Sequence, residues 1–104
     1  MDIVAYKNRF IKGIDKYDIP PMTREALIAY VLTGRPVGSF LQAVLSNNLF
    51  GAVSQADQNN QEHLIELVRA IYNNAPMDCC GSEEKIEKWR KHRGMEQFKN
   101  EDPR

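Results

Sequence analysis

Apolar residues recur at steps of three and four along almost the whole chain, and no stretch alternates cleanly as a half-buried strand would. The pattern predicts an all-α protein. Ile3, Tyr6, Phe10, Ile14 and Tyr17 form the first stripe, with Lys7, Arg9, Lys12 and Lys16 off it. Ile19-Pro20-Pro21 ends that helix by Tyr17, because proline disfavours α conformation in the residue before it. Thr23 is a candidate N-cap for a second helix reaching Thr33. Glu25 lies in its first turn, Leu27, Ile28, Val31 and Leu32 make its buried stripe, and Gly34 supplies a left-handed stop.

The connector from Arg35 to Ser39 leads into a third helix that opens at Gly38 or Ser39 and carries Phe40, Leu41, Val44 and Leu45. Asn47-Asn48 is its expected end, since Asn tolerates left-handed backbone. Leu49, Phe50, Val53 and Ala56 predict a short, buried fourth helix, loosened at Gly51. Asp57-Gln58-Asn59-Asn60 offers N-caps for a long fifth helix, with Leu64, Leu67, Val68, Ile71 and Tyr72 along one face and an end near Asn73-Asn74, before Pro76. Ser82 caps a last helix with Glu83 and Glu84 in its first turn, Ile86 and Trp89 as apolar anchors and Gly94 as its stop. The expected architecture is a compact single-domain bundle of about five to six helices over residues 1–94. Residues 95–104 form a frayed, flexible tail in this reading, because apolar content there drops to Met95 and Phe98.

Composition narrows the function classes. The 104 residues carry 14 Lys+Arg and 14 Asp+Glu, so the formal net charge is zero and the footprint of a general nucleic-acid binder is missing. Apolar runs are broken too soon to span a bilayer, and Asp2 stands where a signal peptide carries positive charge, so a chain starting at Met1 in the cytoplasm is expected. Cys79 and Cys80 are adjacent, closer than disulfide geometry favours, which suits a reducing compartment.

Candidate chemistry gathers at Thr33-Gly34-Arg35-Pro36-Val37-Gly38-Ser39-Phe40. Arg35 together with the free N–H groups of Gly38 and Ser39 is a candidate phosphate or carboxylate site, with Thr23 and Arg24 a weaker version of the same arrangement. The bland alternative is an ordinary helix junction in which Gly38 lets two helices approach. His63, His92 and the cysteines lack the local pairs of a zinc site, and no neighbouring base or cation marks either thiol as a nucleophile. Metal, cofactor and catalysis are therefore not expected. Lys88, Trp89, Arg90 and Arg93 on the basic last helix are a possible contact surface for nucleic acid or an acidic protein. Against them, Asp57, Glu62, Glu66 and Asp78 outweigh the lone Arg69 between residues 51 and 82, and this bipolar pattern favours a protein partner or self-association.

Three segments carry a resemblance: Ile19-Pro20-Pro21-x-Thr23-Arg24-Glu25-Ala26-Leu27, Gly38-x-Phe40-Leu41-x-Ala43-Val44-Leu45-Ser46-Asn47, and Ala75-Pro76 with Cys79-x-Gly81-Ser82. In these the chain resembles small accessory proteins encoded by tailed phages and prophages, over residues 20–94. Relatives often carry Asp at the position of Asn48 and Trp at that of Cys80, so the resemblance assigns no role to either residue. It implies a non-enzymatic protein in the host cytoplasm that binds and modulates or inhibits a host protein, anti-phage defence included. A small oligomer that sequesters a phosphate-bearing nucleotide at Arg24, Arg35, Gly38 and Ser39 is the alternative. A nucleic-acid-associated factor is a distant third.

Overall fold

Asp2 starts the first helix by accepting from the Ala5 N–H, the expected work of an N-cap carboxylate. In the computed structural model, which describes residues 2–100, α1 (Ile3–Ile14) is followed by α2 (Pro21–Thr33), α3 (Ser39–Leu45), α4 (Leu49–Gln55), α5 (Gln58–Glu62), α6 (Leu64–Asn74) and α7 (Glu83–Lys91). Two 3₁₀ segments, Met77–Cys79 and Gly94–Asn100, complete the described residues, which contain no strand. The all-α expectation holds, with more and shorter helices than the sequence pattern predicts. The extra helix comes from a break at His63. There α5, started by the Asp57 carboxylate on the Asn60 N–H, stops before α6 begins.

That break serves packing. Thr23 is not the N-cap of α2, which begins at Pro21, where a missing N–H costs nothing. Thr23 is instead buried, and its hydroxyl donates to Asn60 Oδ1 at 2.7 Å, tying α5 to α2 while α6 lies along α1. The core runs through Ile14, Leu27, Tyr30, Val31, Leu45, Leu67 and Ile86. Tyr30, outside the expected stripe of α2, is its largest fully buried side chain. Its hydroxyl donates to the Cys79 carbonyl at 2.5 Å, and its own carbonyl accepts from the Trp89 indole N–H at 3.2 Å.

The expected frayed tail is corrected over the described part. Met95 is 0% exposed, and Phe98 packs against Tyr6 and Trp89 at ring-centroid distances of 5.8 and 6.1 Å. Lys7 pairs with Glu96. The folded unit thus continues beyond 94, and residues 101–104 lie outside the described residues. A two-glycine crossing makes this return possible. Gly34 (φ 76°) and Gly94 (φ 60°) are both left-handed, and a Cβ on Gly94 would sit 2.7 Å from the Gly34 nitrogen and from the Val31 carbonyl oxygen. No helix of the described residues is long and apolar enough to cross a membrane.

Candidate functional site

Asn47 takes the left-handed conformation (φ 67°) that ends α3, and the Asn48 side chain accepts from the Gly51 N–H at 2.9 Å to start α4. These two asparagines fold α4 back against α3. The residue that enters the contact is Ala52, 1% exposed, because only a small side chain fits where the helices lie so close. The expectation of a buried α4 is overturned: Leu49 is 63% exposed, Phe50 86%, and Val53 is open as well. The same correction applies on α6, where Val68 and Tyr72, expected inside, face solvent. Leu64, Ile65, Leu67, Val68, Ile71 and Tyr72 cover too wide an arc of α6 for one buried face, a signal already present in the sequence.

Between α3 and α4 on one side and α6 on the other lies a groove of about 320 Å³. Its walls are almost wholly apolar: Leu49 and Ala52 face Val68, Ile71 and Tyr72, and Cys80 and Gly81 close one end. The Gly81 N–H donates to the Leu45 carbonyl at 2.7 Å. This bond joins two of the three segments that carry the resemblance, so motif residues far apart in sequence meet at the groove.

Cys80 gives the groove a polarised group. The Lys85 side chain runs past Gly81, its Cδ and Nζ each 3.7 Å from the position of a Cβ there, and its ammonium donates to the Met77 carbonyl. The neighbouring Cys79 thiol, helped by the Lys85 charge, pulls Cys80 down to about 7 against the opposing effect of desolvation. Cys79 is pushed up, by the adjacent Cys80 and by complete burial. A cationic neighbour therefore exists for a thiol that the sequence left without one. Glu83 and Glu84 in the first turn of α7 draw the eye away from Lys85, which only the turn at Ser82 brings back over Gly81.

Two of the residues predicted to form an anion site have partners elsewhere. Arg24 pairs with Asp15. Gly38 begins α3 in ordinary extended backbone, and a methyl group placed on it would meet nothing within 4 Å, so it mediates no close helix approach. Ser39 donates to Gln55 Oε1 at 3.0 Å. Gly38 and Ser39 line a second, more polar groove with Thr23 and Asn60, and neither Arg24 nor Arg35 is among its walls. Of the basic contact residues, Lys88, Arg90 and Arg93 are exposed, whereas Trp89 is 2% exposed and is removed from any contact surface. His63 is half-buried, with Nε2 3.2 Å from Asp18 and Nδ1 2.8 Å from the Asn59 carbonyl.

Compared with protein-family models, curated proteins and solved structures, the chain matches none. Fold and site together define a small all-helical protein with a largely apolar groove on its surface.

Proposed function

We propose that this chain is a non-enzymatic, phage-encoded accessory protein that binds and modulates a host protein in the host cytoplasm, using the α4–α6 groove as its contact. The observation that carries the reading is the apolar rim. Leu49, Val68 and Tyr72 expose on the order of 350 Å² along one groove, within the range of the largest apolar patch on a typical monomer, and Phe50 and Val53 add further exposed apolar surface on α4. Aromatic anchors beside a pocket are the usual centre of such interfaces. The occupant that fits is an apolar helix face of another protein, because apart from the Cys80 thiol at one end the groove walls hold no ionisable side chain to pair with.

A nucleotide at Arg35, Gly38 and Ser39 draws less support, since the groove around Gly38 and Ser39 is without an arginine. The test is capture from bacterial lysate by wild type, by Leu49→Asp/Tyr72→Asp, and by Met22→Asp, an exposed apolar residue beside the other groove. The reading expects a partner that wild type and Met22→Asp retain and the double variant loses. Equal capture by all three proteins overturns it, and sedimentation of the purified chain distinguishes a second copy of itself as the occupant.

A further inference from the structure

The crossing of Gly34 over Gly94 has an electrostatic result that neither segment contains alone. A Cβ on Gly34 would lie 3.0 Å from the Arg93 Cα and 3.1 Å from the Arg90 carbonyl oxygen, so Arg35, the next residue, emerges beside the C-terminal end of α7. Gly34 also shares a broad, shallow depression with Lys85, Lys88, Arg90 and Lys91, in which Glu84 and Glu87 are the acids. Arg35, Lys88, Arg90, Lys91 and Arg93 are all exposed, and none belongs to an ion pair among the described residues. The helix dipole accounts for cations late in α7 but not for Arg35, which follows a different helix.

We infer that this cationic ridge is a second docking surface, separate from the apolar groove, and that it takes an acidic segment of a partner protein. It shares no lining residue with the groove. Guanidinium groups grip carboxylates with paired hydrogen bonds, and the N–H donors of a peptide can satisfy Glu84 and Glu87. Both acids repel a phosphodiester backbone as they repel a peptide's carboxylates, but the phosphodiester has no N–H donors to offset that repulsion. Trp89, the aromatic residue of α7, is buried, so no base can stack there as single-stranded nucleic acid requires.

The test is an anisotropy titration of the full chain with a dye-labelled oligoglutamate peptide and, separately, a dye-labelled oligothymidylate, at low and moderate salt. Wild type should bind the peptide more tightly than the oligonucleotide, with affinity falling as salt rises. Arg35→Glu/Lys91→Glu should weaken peptide binding at least about tenfold, while Lys12→Glu/Lys16→Glu, reversing two exposed cations of the α1 region, should leave it within about twofold. Should the first pair fail to fold by circular dichroism, Arg35→Gln/Lys91→Gln takes its place, with a loss of at least about threefold expected. Equal losses in the ridge and control variants, tighter binding of the oligonucleotide, or no binding of the peptide by wild type overturns the proposal.

Discussion

The Tyr30 hydroxyl holds the carbonyl of Cys79, forty-nine residues away, at 2.5 Å in the middle of the core. This bond anchors the end of the Met77–Cys79 turn, and with it the strip of chain that delivers Cys80 and Gly81 to the groove. Burial also raises the phenol well above its usual range, so it stays a donor at any working pH. Tyr30→Phe strands a buried carbonyl and should cost about 1–3 kcal/mol in urea unfolding, the desolvation penalty of a buried acceptor left unpaired. It should also make Cys79 accessible to a thiol reagent that does not label it in wild type. An unchanged midpoint with Cys79 still protected would show that the bond contributes nothing.

Cys80 should react with iodoacetamide along a pH profile whose midpoint lies near 7, below the roughly 8.5 of an ordinary thiol. Mass spectrometry of the peptide containing both cysteines should place the label on Cys80 alone. Lys85→Ala should move the midpoint upward. An ordinary thiol midpoint in wild type would remove the polarised group from the groove.

The glycines divide sharply. Gly94→Ala and Gly34→Ala each place a methyl group against backbone at a left-handed φ, and each should cost more than about 1 kcal/mol. Gly38→Ala should stay within about 0.5 kcal/mol, the small N-cap loss being offset by a less entropic unfolded chain. Thermal or urea midpoints of the three variants check the contrast.

His63 supplies a pH dependence. Its hydrogen bond to the Asn59 carbonyl, and then Asp18, raise its pKa above the ordinary value. Stability from the protonated ring is therefore fully present below about pH 6.5 and is lost as pH rises through the raised folded-state value. The melting-temperature difference between wild type and His63→Gln should be largest on the acid side and shrink as pH rises. A difference that grows with pH contradicts the assignment.

What was legible in the sequence is what local chemistry decides. Gly34 as a left-handed stop, Asn47 as the end of α3 and Ser82 as the cap of α7 all stand, because each acts on neighbours a few residues away. Circular-dichroism spectra dominated by helix should follow from those same elements. The candidate site was less legible. Leu49, Phe50 and Val53 fall on a helical stripe that looks like a core face, yet the tight α3–α4 hairpin admits only Ala52. Met95 and Phe98 sit in a polar stretch whose low apolar content hides that one fills the core and the other packs on two aromatic rings. The meeting of Gly34 with the end of α7, which sets Arg35 beside it, depends on a contact between segments far apart in sequence, which no local pattern encodes.

The Gly34–Gly94 crossing also bears on how the protein is made. Because Met95 plugs the core directly after the crossing, the packed state cannot close until nearly all of the described chain has been synthesised. At roughly 5–20 residues per second, translation leaves α1 to α6 waiting for seconds with an open seam at α2. A nascent chain stalled before Gly94 should stay sensitive to protease, and one released after the Gly94–Asn100 segment should become resistant in a single step.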